Sequence, residues 1–201
     1  DVIAVGPGLG IGPSVSAFVH GLLERVGTPI ILDADALNAF VGDVDRLHGR
    51  DGLDVVITPH PGEMARLLGT TVDDVQANRV EIARQFAMTH HLHVVLKGYR
   101  TVIATPNGAV FINLTGNPGM AVGGTGDVLT GVLAAWLAQL LDAEAACKVA
   151  VYVHGMAGDI AEVDKGEISM SASDLTDHLS TALLDLSSSN QIEDESQGNQ
   201  N

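Results

Sequence analysis

The sequence predicts an α/β domain: a mainly parallel central sheet, helices on both faces and an antiparallel hairpin at one edge. Three observations lead there. Short apolar runs alternate with segments of helical period, the pattern of a sheet covered on both sides. Pro106-Asn107-Gly108 stands between two apolar runs, which is a hairpin signature. The chemically loaded loops, at 6–10, 33–35, 58–63, 97–101 and 116–127, all follow expected strands. In such sheets the ligand sits at the C-terminal strand ends, so these loops predict one shared site.

Residues 2–5 form an apolar strand that stops at Gly6-Pro7-Gly8-Leu9-Gly10. Residues 14–26 have helical spacing, with Val15, Phe18, Val19, Leu22 and Leu23 on one side. A second strand at 29–32 closes on Asp33-Ala34-Asp35 and leads into a short helix at 36–41. The third strand, 55–58, runs into Pro59-His60-Pro61-Gly62-Glu63, and 63–68 reads as a helical turn. Residues 72–89 read as one helix, Asp-rich at its start, as the helix dipole prefers. The fourth strand is 94–97, and 101–105 with 109–113 form the hairpin. Two long apolar helices follow, 127–141 and 143–163. A last helix spans 171–186, capped by Ser171 or Ser173. The domain is thus 1–186. Residues 187–201, rich in Ser, Asn, Gln and acids, are expected to be a disordered polar tail.

The 201 residues are 46% hydrophobic, enough for the core of one domain. Aromatics make up 3%, so that core must be Val, Ile, Leu and Ala. The 23 glycines suit a protein with many backbone contacts to a ligand. A net charge of −15 excludes nucleic acid and anionic membrane surfaces as partners. A phosphate site in such a chain must rely on local amides and a few placed cations. No apolar run is long enough for a membrane span. The single Cys147 can form no internal disulfide, which suggests a reducing, cytoplasmic home. The chain opens directly on a strand, so it reads as N-terminally incomplete, and a lost targeting segment stays open.

The most informative stretch is 116–127, where Gly116, Gly119, Gly123, Gly124 and Gly126 precede an apolar helix. Glycines let backbone N–H groups turn inward around an anion, and the helix N-terminus adds positive potential. Asp127 would repel a phosphate, so it serves there either as a plain helix cap after a Gly-rich turn or, as five glycines in the stretch favour, to accept a proton from a hydroxyl that attacks phosphorus. The stretch reads as a site of phosphoryl transfer to an alcohol.

Other motifs divide between structure and chemistry. Gly6 to Gly12 resembles a dinucleotide loop, but the G-x-G-x-x-G spacing fails: Ile11 or Pro13 falls in the last slot. Asp33 or Asp35 would mimic the ribose-binding acid of that motif. Two prolines hold His60, and Glu63 has the reach to meet magnesium directly or through water. Lys97 could meet a phosphate, with Gly98 permitting close approach of a nucleotide. His90-His91-x-His93 reads as a solvated turn rather than a metal site.

Together these motifs resemble the ribokinase-like superfamily, and within it the ADP/ATP-dependent NAD(P)H-hydrate dehydratases. The matching pieces are Gly6-Pro7-Gly8-Leu9-Gly10, Leu32 to Leu37, Thr58 to Met64, Leu96-Lys97-Gly98 through Thr101, Asn117 through Gly131, Val151 to Gly155, and Ser173-Asp174-Leu175. They run in order over residues 2–176. Pro-His-Pro-Gly-Glu and Asn-Pro-Gly-Met are specific to the dehydratases, whereas Gly-Thr-Gly-Asp marks the superfamily.

The resemblance implies a role for each position. Gly8, Asp35 and His60, with Asp127, would contact the hydrated nicotinamide dinucleotide (NADHX or NADPHX). Lys97, Gly98, Tyr99, Arg100, Thr101, Asn117 and Gly126 would hold ADP or ATP. Gly124, Thr125 and Gly126 would form the anion hole. Asp127 would be the catalytic base. Glu63 would be a magnesium-linked acid in an Asn-x-x-Glu pattern in which His60 replaces Asn. Val122 stands where Thr or Ser is commoner. The resemblance also implies Mg2+, a homotetramer, a cytoplasmic place in metabolite repair and an NAD(P)H-hydrate epimerase in the same pathway. Two other readings stay open: a ribokinase-like kinase of a small alcohol or vitamin precursor, and a non-catalytic nucleotide-binding module.

Overall fold

The computed structural model describes residues 1–140 and 142–198, with Leu140 and 189–198 described by backbone alone. Six short strands form one sheet in chain order: β1 Ile3–Val5, β2 Ile30–Leu32, β3 Val55–Ile57, β4 His93–Leu96, β5 Val102–Ala104 and β6 Val110–Ile112. The first four are parallel; β4, β5 and β6 pair antiparallel through the hairpin. Parallel neighbours joined in succession by right-handed crossovers put every connecting helix on the same face. These helices are α1 Pro13–Arg25, α2 Asp35–Asn38, α3 Pro61–Leu68, α4 Val72–Ala77 and α5 Arg79–His90. After the hairpin the chain covers the opposite face with α6 Thr125–Leu140 and α7 Ala143–Lys165, and α8 Ala172–Gly198 packs on α7.

The strand period of two shows in the packing. Ile30, Leu32, Val55, Ile57, Val94 and Leu96 face the first helical layer, where Phe40, Leu47 and Met64 are fully buried. The alternate residues Ile31, Val56, Val95 and Ile103 face Leu129, Leu133 and Leu137 of α6 and Ala146, Cys147 and Ala150 of α7. A strand buried on both faces must be apolar at every position, which is why β2 and β3 consist of Ile, Leu and Val alone. Among the described residues no helix is long and apolar enough to cross a membrane.

Three expectations need correction. The single helix expected over 72–89 is two, because Asn78 (φ −131°, ψ 31°) leaves helical geometry between α4 and α5. Thr71 opens the first with a capping box to Asp74. The histidines at 90–93 do not form a solvated turn. His90 and His93 are buried, and only His91, left-handed at the end of α5, faces solvent. The expected helix start at Asp127 lies two residues late, so Thr125, Gly126 and Asp127 make the first turn of α6. The last helix begins as expected: Ser171 Oγ and Asp174 form its capping pair. Its backbone runs past residue 186 to Gly198, and residues 199–201 lie outside the described residues.

Candidate active site

The chemistry begins where β2 ends. Asp33 is buried at 1% exposure, and both its oxygens are occupied. Oδ1 accepts from the Ala34 amide at 2.8 Å and from Lys97 Nζ at 2.7 Å; Oδ2 accepts from Thr130 Oγ1 at 2.7 Å. The loop after β1 is packed onto this turn. A Cβ on Gly6 (φ +140°) would overlap the Asp33 carbonyl, and the Gly10 amide donates to Asp35 Oδ2 at 2.8 Å. Gly6 therefore serves strand-end packing. Gly8 is in the left-handed region and exposed.

At the end of β3, His60 caps α3. Its Nδ1 accepts from the Gly62 and Glu63 amides at 3.0 and 3.3 Å, while Glu63 Oε2 accepts from the His60 amide at 2.7 Å. Such reciprocal capping fixes both side chains. Burial holds the His60 imidazole below its ordinary pKa, with Lys97 and Arg66 adding to the effect and Glu63 opposing it. Glu63 is itself buried, 3.9 Å from Lys97 Nζ.

The β4 end carries Lys97, whose ammonium lies against the start of α6: a Cβ on Gly126 would sit 3.4 Å from Nζ. Arg79, the first residue of α5, pins this end by donating from Nη2 to the Leu96 and Lys97 carbonyls at 3.0 and 3.3 Å. Gly98 (φ +129°) passes close under that guanidinium: a side chain there would strain the backbone and press on Nη1, 3.1 Å from its Cβ. Tyr99 is exposed, with Arg100 over its ring at 5.3 Å, and Thr101 Oγ1 donates to the Gly98 carbonyl.

From the other face of the sheet, α7 shapes the glycine-rich loop. Asp159 accepts from the Gly116 amide at 2.9 Å and from Asn117 Nδ2 at 3.1 Å. Gly155 and Gly158 let the loop lie against the helix, because Cβ atoms there would overlap Thr115 and Met120. His154 Nε2 donates to the Thr125 carbonyl at 2.8 Å, and burial lowers its pKa. Thr125 Oγ1 turns back to the Met120 and Val122 carbonyls at 2.8 and 2.9 Å.

A cavity of about 620 Å³ opens between these elements, lined by residues 97–101 and 113–118 together with Thr125, Gly126, Leu129 and His154. The structure thus brings Lys97, Gly98, Tyr99, Arg100, Thr101, Asn117, Thr125 and Gly126 to one cavity beyond β4. Gly8, Asp35, His60 and Glu63 follow β1 to β3 and do not line that cavity. Asp127 and Gly124 sit at the rim and do not line the cavity. Asp127 is exposed, and its carboxylate makes no hydrogen bond or ion pair among the described residues. It lies one turn before Thr130, on the same helix face.

Sequence reasoning gave no role to Arg79, Thr130, His154 or Asp159, and weighed Asp33 only as a ribose acid. The available signal was polarity out of place. Thr130 interrupts the apolar α6, His154 stands among buried residues of α7, and Asp33 follows a fully buried strand.

A sequence profile of the NAD(P)H-hydrate dehydratase family matches residues 1–181. The chain belongs to that family. A bifunctional NAD(P)H-hydrate repair enzyme Nnr from Moorella thermoacetica is 50% identical over 186 residues, 92% of this chain and 35% of that protein. An ADP/ATP-dependent NAD(P)H-hydrate dehydratase from Bacillus subtilis, co-crystallized with ATP/Mg2+, superposes with TM-score 0.83 at 37% identity, over 90% of this chain and 65% of that one. A ribokinase-like superfamily protein from Enterococcus faecalis superposes with TM-score 0.73 at 32% identity, over 90% and 62%. This member of the dehydratase family therefore has the ribokinase-like fold, and spans about a third of the bifunctional relative and under two thirds of the two solved structures.

Proposed function

We propose that this chain acts in nucleotide-dependent dehydration of NAD(P)H hydrate, NADHX or NADPHX, back to NAD(P)H through a phosphorylated intermediate. The observation that carries this reading is the first turn of α6. Gly124 and Gly126 stand at a helix N-terminus with, among the described residues, no backbone acceptor for their amides in the loop, the Thr125 amide turning back to the Val122 carbonyl; Lys97 lies beside Gly126, which lines the cavity. ADP or ATP would occupy that cavity, bounded by Lys97 to Thr101 and Asn117. The hydrate would lie over β1 to β3, against Gly8, Asp35 and His60. Asp127, between the two, would take the proton of the substrate hydroxyl as the terminal phosphoryl group moves to its oxygen. Hydroxide leaves badly and phosphate leaves well. The ring nitrogen lone pair can then expel phosphate, and loss of a proton from the adjacent ring carbon restores the dihydropyridine.

Magnesium fits this site as an ion carried by the nucleotide. Among the described residues no cluster of three or more His, Cys, Asp or Glu could hold a metal, and Glu63 Oε2 already accepts from the His60 amide. Phosphate oxygens and water would be its ligands, with Glu63 acting through water. Bound there, it would neutralise charge on the phosphates. A homotetramer would use exposed apolar residues such as Ile112, Leu114 and Ile168, and an epimerase would supply the correct hydrate epimer. The bifunctional name of the Moorella relative supports the second point.

The test is to incubate hydrated NADH with ADP or ATP and magnesium and to follow recovery of reduced-nicotinamide absorbance and release of inorganic phosphate. No recovery with either donor rejects the reading. A stable phosphorylated alcohol would mark a kinase instead.

A further inference from the structure

We infer that Asp33 is a positioning residue for phosphoryl transfer: it holds Lys97 Nζ against the first turn of α6 and, through Thr130, sets the rotation of that helix so that Asp127 meets the acceptor oxygen. The inference rests on the function proposed above. Asp33 is 1% exposed, and a buried carboxylate is tolerated only when its oxygens are satisfied. Here three donors come from three parts of the chain: the Ala34 amide, Lys97 at the end of β4, and Thr130 of α6. One side chain therefore ties β2, β4 and α6 together at the point where the proposed transfer occurs.

The geometry around Lys97 makes this tie specific. Glu63 stands at 3.9 Å and the imidazoles of His60 and His154 also feel its charge, yet among the described residues Asp33 alone is in direct contact, at 2.7 Å. Without that contact the long lysine side chain would have several rotamers open to it. The tie to α6 is similarly narrow. Thr130 has one hydroxyl proton, and the carboxylate at 2.7 Å is a shorter, charged acceptor than the Gly126 carbonyl at 3.2 Å. Thr130 follows Asp127 by one turn, so fixing the first fixes the azimuth of the second. Asp33 itself touches neither the cavity nor solvent, which separates a positioning role from a catalytic one.

The test compares Asp33→Asn, Thr130→Val and Thr130→Ser with the parent protein. It reads kcat, the KM for ADP, melting temperature, ADP affinity by calorimetry, and the rate at which an amine-acylating reagent labels Lys97, followed by mass spectrometry. Asp33→Asn keeps shape and removes charge; kcat should fall roughly 100-fold while the KM for ADP moves less than about threefold. Lys97 labelling should accelerate. Thr130→Val should lower kcat about tenfold with Lys97 labelling unchanged, and Thr130→Ser should lose less than Thr130→Val. Parental kcat and parental labelling in Asp33→Asn overturn the inference, as does a loss of kcat that tracks the unfolded fraction. If Asp33→Asn does not fold, the Thr130 pair decides by kcat: a parental kcat in Thr130→Val overturns the inference, and an approximately tenfold loss that Thr130→Ser partly restores upholds it. If the parent shows no hydrate turnover, the proposed function fails separately; Lys97 labelling in Asp33→Asn then decides the positioning claim, acceleration supporting it and no change refuting it.

Discussion

Asp127 is the one acid of the site with its carboxylate open to solvent at the rim; Asp33, Asp35 and Glu63 are each occupied by amides or by a cation. A base must be free to accept a proton, and a carboxylate already satisfied is a poorer one. Asp127→Ala should therefore lower kcat by about 100-fold or more and leave ADP affinity within a few-fold, measured by calorimetry beside turnover. Nucleotide binding that vanishes with the same substitution would place Asp127 in the wrong role. The sequence singles out this acid because it stands among glycines at a helix start, although a capping role would leave the same pattern. Asp33 is not singled out, because nothing local distinguishes two aspartates separated by one alanine. Only the fold shows that Asp33 turns inward to Lys97, sixty-four positions away, while Asp35 turns to Gly10.

At the level of elements, α7 matters to the cavity through what it lacks. Gly155 and Gly158 leave space that Thr115 and Met120 fill, and Asp159 then holds the Gly116 and Asn117 edge. Gly155→Ala should push the loop off the helix. We expect a loss of about 1–3 kcal/mol in denaturant unfolding, with weaker ADP binding. Stability lost without any change in affinity would mean that the loop geometry is not set here. Strand existence and hairpin position were readable from apolar runs and Pro-Asn-Gly. The break at Asn78 was not. The α4 and α5 segments are each good helices by composition, and the interruption serves a distant demand: Arg79 must reach the carbonyls of Leu96 and Lys97.

For the molecule as a whole, four imidazoles, at 60, 90, 93 and 154, are held below the ordinary value of 6.5, in each case first by burial. The unfolded chain binds those protons more readily than the folded one. Stability is then complete above about pH 6.5 and is lost as pH falls through and below that value. The melting temperature should be level from about pH 8 to 7 and decline on acidification toward pH 5.5. A rise over that interval would contradict the lowered pKa of these four imidazoles. Two layers of helix were predictable from strands that are apolar throughout. The sequential strand order, and hence which helices share a face, depends on crossover handedness that no local pattern encodes.

The lone thiol is sealed away from reagents. Cys147 is wholly enclosed between α7 and the sheet, and burial pushes its pKa far above the usual thiol range, so almost no thiolate exists to react. A maleimide or iodoacetamide should leave the folded protein unmodified for as long as it stays folded. Every labelled molecule then records one opening event. The chain carries its own unfolding clock, read by mass alone, without a dye or an engineered probe.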